Sequence, residues 1–172
     1  MEETTFEQGG IVYRILPDKS DEVEVVGYNK SIANVLIPTK ILYNGKHKTV
    51  TSIGYDMFQN GGENWSYIWH SIGGGPIIRD IEDAMSFASL NRDLLSVTIP
   101  SSVILIDSGA FSHCENLKSI YCKSIEPPTL SEWALGEDQL KQCILYVPKG
   151  AKESYETAKG WSEFANIEEF DS

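Results

Sequence analysis

The amino-acid sequence predicts a single repeat solenoid, mainly β and built from short parallel strands, and three observations carry that prediction. First, Thr51-Ser-Ile-Gly-Tyr-Asp-Met-Phe58 and Ile104-Leu-Ile-Asp-Ser-Gly-Ala-Phe111 each set a Phe five residues after an Ile, and the pairs Ile53/Phe58 and Ile106/Phe111 are offset by 53 positions. Second, a phrase of three apolar positions recurs in phase with the first, as Ile32-x-x-Val35-x-Ile37-Pro38, Leu94-x-x-Val97-x-Ile99-Pro100 and Leu117-x-x-Ile120-x-Cys122. Third, both ends of the chain depart from this pattern, as the capping units of a stacked array must.

The period follows from the intermediate copy. Ile81-Glu-Asp-Ala-Met-Ser-Phe87 is a degenerate form of the Ile-to-Phe phrase, with 29 positions from Phe58 to Phe87 and 24 from Phe87 to Phe111. Leucine-rich repeats run to about 20–29 residues, so 53 positions are two turns of such a coil. The longer interval holds Gly61-Gly62 and Gly73-Gly-Gly-Pro76, turn-forming residues suited to an insertion at 61–78.

Each element then has a reason. Residues 1–28 are expected to form an N-terminal β-hairpin cap, with Gly10–Leu16 as one strand, a turn around Pro17–Asp21, and Glu22–Gly27 as the other. Val23 and Val25 alternate there with Glu22 and Glu24, the pattern of a half-buried strand. Asn44-Gly45 favours a tight turn into a further strand at Lys46–Val50.

Residues 29–148 are expected to hold about four repeats, in which the three-position phrase turns its apolar side chains to one face of a short strand. One such strand cannot bury that face alone, so neighbours must stack in parallel. The weaker phrase Trp65-x-x-Ile68-x-His70 is read as a strand between those at 35–37 and 97–99, with Trp65 inward; the alternation of Trp65, Tyr67 and Trp69 would instead put all three on one face. Cys143–Pro148 is expected to be the last strand, followed in residues 149–172 by a short helical cap with a helix over Ala151–Lys159, Gly160 as its stop, and Trp161, Phe164 and Ile167 closing the end.

Composition bounds the function. At 172 residues with 41% hydrophobic and 23% charged residues, the chain suits one packed domain spanning 1–172. A formal charge of −11 argues against nucleic acid and anionic membrane surfaces as partners, because phosphate binding needs clustered Lys and Arg. No apolar run of about 18 residues is present to cross a membrane. The acidic start Met1-Glu-Glu-Thr-Thr-Phe6 shows no signal peptide. Cys114, Cys122 and Cys143 lack the spacing of a zinc knuckle or a disulfide framework and are expected to be free thiols packed as small hydrophobes.

The stretch Leu94-Leu-Ser-Val-Thr-Ile-Pro-Ser-Ser-Val-Ile-Leu-Ile-Asp-Ser-Gly-Ala-Phe-Ser-His-Cys-Glu-Asn-Leu117, with its Ile-Pro, its Ala-Phe, the Cys three residues after Phe and the Asn-Leu, resembles the BspA-like leucine-rich repeats of bacterial surface proteins. Tyr43-Asn-Gly-Lys46, Pro127-Pro-Thr-Leu130, Leu145-Tyr-Val-Pro-Lys-Gly150 and Tyr155–Trp161 are similar to sequences flanking such repeats, and the likeness covers most of residues 28–168. Between Gly61 and Ile78 the chain departs from the pattern, with neither Cys nor Ile-Pro. The resemblance implies a non-catalytic module, outside the cell or on its surface, that binds a protein or carbohydrate partner; it brings no catalytic residues and no cofactor.

The strand register also predicts which side chains face outward. One column reads Leu36, Trp69, Thr98, Tyr121 and Tyr146, with Tyr67, Ser96 and Ser119 beside it. Tyrosine and tryptophan offer large, rigid contact area and are favoured at recognition surfaces. The candidate ligand-binding residues are therefore Tyr67, Trp69, Thr98, Tyr121 and Tyr146; the competing reading is lateral stacking of aromatics on a spacer with no ligand of its own. Asp80, Glu82 and Asp83 read as a solvated turn, and His47, His70 and His113 lack metal-ligand spacing. His113 and Cys114 are adjacent, but Cys114 is expected to point inward, away from substrate.

Overall fold

A computed structural model of the chain describes residues 5–28, 32–54, 94–111 and 114–171. The N-terminal alternation produces three antiparallel strands: β1 (Thr5–Gln8), β2 (Ile11–Leu16) and β3 (Lys19–Tyr28). Gly9 and Gly10 join β1 to β2 with φ of 63° and 78°, a left-handed pair that side-chain-bearing residues rarely adopt. Leu16 pairs directly with Lys19 across Pro17-Asp18. The second hairpin strand thus starts three residues earlier than the Val23/Val25 alternation indicates, because a two-residue turn suffices.

Three more strands follow: β4 (Asn34–Leu36), β5 (Lys40–Tyr43) and β6 (Lys46–Ile53). Asn44 and Gly45, at φ 49° and 74°, make the expected tight turn between β5 and β6. Beyond residue 94 come β7 (Ser96–Ile99), β8 (Leu105–Ile106), β9 (Ser119–Cys122), β10 (Thr129–Leu130), helix α1 (Glu137–Gln142), β11 (Ile144–Pro148), helix α2 (Lys152–Thr157), a 3-10 turn at Trp161–Glu163, and β12 (Asn166–Phe170).

These strands form two sheets. One has five strands in the order β12-β11-β9-β7-β4, every neighbour parallel. The other has seven, β1-β2-β3-β6-β8-β10 with β5 also on β6; it is parallel from β3 to β10 and antiparallel in its hairpins. From β7 to β11 the chain alternates between the sheets, strand by strand. Tight turns make that possible, such as the one in which Val103 N–H donates to Pro100 O at 3.2 Å.

Register matches the repeat. Ile53 lies opposite Ile106, and Ile106 opposite Leu130. In the other sheet Val35, Val97, Ile120, Leu145 and Ile167 form one rung. Leu94, Val97, Ile99, Leu117, Ile120 and Cys122 are all buried, and of the first copy Val35 and Ile37 are buried and Ile32 partly so, so the three-position phrase faces inward. Buried residues of both sheets belong to one cluster, and each fully buried Val, Ile or Leu there contributes about 1.5–3 kcal/mol. Phe111 sits in it with no exposure; Phe58 and Phe87 lie outside the described residues.

β4 pairs directly with β7, Leu36 opposite Thr98; the phrase Trp65–His70 lies outside the described residues. Two expectations are corrected. Cys143–Pro148 is not the last strand, because β12 adds a further parallel neighbour to β11, in register from Ile144/Asn166 to Pro148/Phe170. The helix expected over Ala151–Lys159 is only Lys152–Thr157, since Ala158 leaves helical backbone at ψ 138° before Gly160 turns the chain at φ 81°.

Aromatic residues fill the C-terminal end. The Tyr155 hydroxyl donates to Ser124 O at 2.8 Å and lies 3.2 Å from Cys122 Sγ, while Trp161 Nε1–H donates to Pro128 O at 2.8 Å. Trp161 meets Tyr155 edge-on at 5.3 Å and stacks on Phe164 at 5.9 Å. Each polar tip thus has a partner while its ring is buried, as dry aromatic packing requires.

Candidate functional site

The five-stranded sheet positions the candidate face. In a strand, successive side chains alternate between faces, so the residues between buried rungs point outward. In-register parallel pairing then lines them up: Leu36, Thr98, Tyr121, Tyr146 and Glu168 form one outward row. Asn34, Ser96, Ser119, Ile144 and Asn166 form the row beside it, where Ser96 Oγ donates to Asn34 Oδ1 at 2.7 Å.

Of the five candidate residues, the structure brings Thr98, Tyr121 and Tyr146 together on adjacent strands, all half-buried. Tyr67 and Trp69 lie outside the described residues, and the neighbour of Leu36 in the row is Thr98. Tyr121 and Tyr146 stack with centroids 4.6 Å apart and planes at 8°, and Phe170 meets Tyr121 edge-on at 5.9 Å. Such pairs contribute about 0.5–1.5 kcal/mol beyond the area they bury. Partial burial, then the adjacent Glu168 carboxylate and the Tyr121 phenol, raise the Tyr146 hydroxyl's pKa above its ordinary value of 10.0. At neutral pH it is a neutral hydroxyl able to donate and accept.

Phe170 and Glu168 are the members that sequence reasoning missed. The signal available was Asn166-Ile167-Glu168, which repeats the outward-inward-outward order of Ser119-Ile120-Tyr121; two adjacent glutamates at 168 and 169 obscure it. Leu36 closes the far end of the row at 66% exposure, so the face is apolar at one end, aromatic in the middle and acidic at the other.

The thiols are placed against nucleophilic chemistry. Cys114 is fully buried, and burial, with Cys143 nearby, pushes its pKa far above the thiol value of 9.0; burial likewise lifts Cys143 to about 12. A neutral thiol with no access to substrate is not activated for attack. His113 and His70 lie outside the described residues, and His47 is exposed on β6. Among the described residues no three His, Cys, Asp or Glu side chains gather as metal ligands, and no helix is long and apolar enough to cross a membrane.

No protein-family model matches the sequence, and no curated protein matches it. Solved structures do. A leucine-rich cell surface protein from Faecalibacterium prausnitzii A2-165 superposes with a TM-score of 0.53 over 99% of this chain at 14% identity. This chain spans less than half of that protein's length, 44%. A leucine-rich repeat protein from Bacteroides capillosus ATCC 29799 superposes with a TM-score of 0.55 at 17% identity, covering 98% of this chain and 99% of the other.

Proposed function

We propose that this chain, whose fold is that of leucine-rich repeat proteins, is a non-catalytic recognition module that binds a protein partner through the outward face of its five-stranded sheet. Its strands are read as successive coils of one solenoid, each giving a rung to both sheets, with the N-terminal hairpin and the C-terminal helices as caps. A place at the bacterial cell surface or outside the cell is supported by the surface protein among its structural neighbours.

The observation that carries the reading is the aromatic group at the middle of an in-register row, Tyr121 against Tyr146 with Phe170 on the edge. Rigid aromatic side chains bind at low entropic cost, and their energy concentrates near the centre of a contact area. Protein fits better than glycan here. The tyrosines spend ring faces on each other, leaving edges and hydroxyls for a partner's side chains and backbone, whereas a sugar ring needs an open aromatic face. The chain's charge of −11 and Glu168 beside the tyrosines favour a basic partner surface.

The test is a binding screen of the purified chain against immobilised extracellular proteins and glycans, with the Tyr121→Ala/Tyr146→Ala double variant in parallel. A protein partner is expected for the parent, with at least a tenfold loss in the variant and an unchanged far-UV spectrum. Equal capture by both proteins overturns the assignment to this face. Capture of no partner at all, with the chain nonetheless extending a longer array, supports the spacer reading instead.

A further inference from the structure

We infer that Trp133 and the hollow beside it form a second site, on the side of the seven-stranded sheet, that takes the pyranose ring of a neutral sugar. Trp133 is 80% exposed, the most exposed of the large apolar side chains among the described residues. Its backbone is left-handed, at φ 63°. For a residue with a bulky side chain that conformation is unfavourable and persists only where the surroundings impose it.

The surroundings do impose it. Trp133 O accepts from Gly109 N–H at 2.9 Å, Phe111 N–H donates to Ala134 O at 2.8 Å, and Ser108 Oγ donates to Glu132 O at 2.7 Å. The 132–134 segment is therefore clamped by the neighbouring 107–111 turn through its backbone alone. A glycine would satisfy every one of these bonds without strain, and among the described residues no hydrogen bond holds the indole. Among the described residues no other aromatic ring stacks on it, and at 80% exposure most of the indole's surface is open, unlike the rings of the stacked Tyr121 and Tyr146.

Beside the indole lies a hollow of about 90 Å³, with Leu130, Leu140 and Gly160 on its wall and Glu132, Lys159 and Glu163 at its rim. Gly160 keeps that wall clear: its φ of 81° disfavours a side chain, and a Cβ would stand 3.0 Å from Leu130 Cδ2, which would have to give way. Lys159 Nζ is 3.4 Å from Glu132 Oε1, so donor and acceptor sit side by side. A pyranose has one face of C–H groups, which packs on an open indole, and a periphery of hydroxyls that donate to carboxylates and accept from an ammonium. The lining of the hollow brings together these groups, an exposed indole, two carboxylates and an ammonium. Two carboxylates at the rim and a chain charge of −11 disfavour acidic sugars, which selects neutral ones.

The experiment titrates the full-length, isotope-labelled chain with the methyl pyranosides of glucose, galactose, mannose and N-acetylglucosamine and follows the indole N–H signals. The Trp133 signal is expected to move and saturate in the millimolar range with at least one of them, and the Trp161 signal to stay. Trp133→Gly is expected to lose at least tenfold in affinity while melting no lower than the parent, since it relieves the left-handed strain. Trp133→Phe is expected to retain partial binding. The double variant at Tyr121 and Tyr146 should bind the sugar as the parent does, which separates this site from the proposed protein-binding face. A Trp133 signal unmoved by every sugar overturns the inference. So does a Trp133→Gly variant that unfolds, which would make the side chain structural, or a signal that moves only with a protein partner.

Discussion

Tyr155 shows how a single buried hydroxyl is committed. Its ring is fully enclosed, its oxygen donates to Ser124 O at 2.8 Å, and Cys122 Sγ is 3.2 Å away. Tyr155→Phe keeps the ring and removes the donor, so the loss should be about 1 kcal/mol, the net value of one such bond. That lowers the melting temperature by about 2–4 °C in a chain of this size, which calorimetry resolves; an unchanged melting point would mean the hydroxyl contributes nothing. The same enclosure governs the response to alkali. Burial raises the Cys143 thiol from 9.0 to about 12 and the Tyr13 phenol from 10.0 to about 12, and lifts Cys114, Cys122 and Tyr155 in the same direction. In the unfolded chain these groups lose their protons at their ordinary values, so above pH 9 the unfolded state binds fewer protons than the folded one. Stability contributed by keeping them neutral is whole below pH 9 and falls as pH climbs towards about 12. Urea midpoints measured at a series of alkaline pH values should therefore decline steadily; a flat series would contradict the burial of these groups.

At the scale of elements, two glycines with nearly the same φ can be set side by side. Gly45, at φ 74°, would meet nothing within 4 Å if it carried a Cβ; Gly160, at φ 81°, would place one 3.0 Å from Leu130 Cδ2. Gly45→Ala should cost only the left-handed penalty, about 1 kcal/mol. Gly160→Ala should cost measurably more in the same denaturant titration, because Leu130 must also move; equal losses would show that the contact relaxes freely. Gly45 was readable in advance, since Asn-Gly between alternating segments specifies the turn by local chemistry. The inward rungs were equally legible: Val35, Val97 and Ile120 share a spacing, and spacing alone dictates register. Other elements were hidden for physical reasons. β12 carries one buried apolar residue, Ile167, among two glutamates, and its strand state comes from the β11 edge rather than from its own pattern. The partner of β4 was hidden too: which strand neighbours it is decided by pairing across 62 residues of chain, and pairing joins β4 to β7, Asn34 opposite Ser96. The left-handed backbone of Trp133 left no trace in sequence either, because the turn at 107–111 imposes it from outside.

For the whole molecule, the question is whether two sheets assembled from short parallel strands unfold piecemeal or together. In a stacked array each unit touches only its neighbours, so cooperativity depends on the interfaces between units outweighing the instability of each alone. The strands β8 and β10 are two residues long and cannot persist by themselves; β8 is held between β6 and β10, and β10 is held at the sheet edge by β8. The buried cluster also runs without division from Ile11 and Tyr13 in β2 to Ile167 in β12. Both facts predict a single transition. Cys114, Cys122 and Cys143 supply the probe, since all three are buried thiols outside any disulfide, and all lie on the side of the core that β9 and β11 build. In a denaturant series, pulsed labelling of these thiols should report the same midpoint as the far-UV signal of the whole chain. A substitution at either end should move both readouts together: Ile53→Ala in β6 and Leu145→Ala in β11 each empty a fully buried position, at about 2–5 kcal/mol. If Leu145→Ala lowered only the thiol midpoint, or Ile53→Ala only the far-UV one, the sheets would be separate folding units. The shared interior that aligns the tyrosines on one face would then not be what holds the chain together.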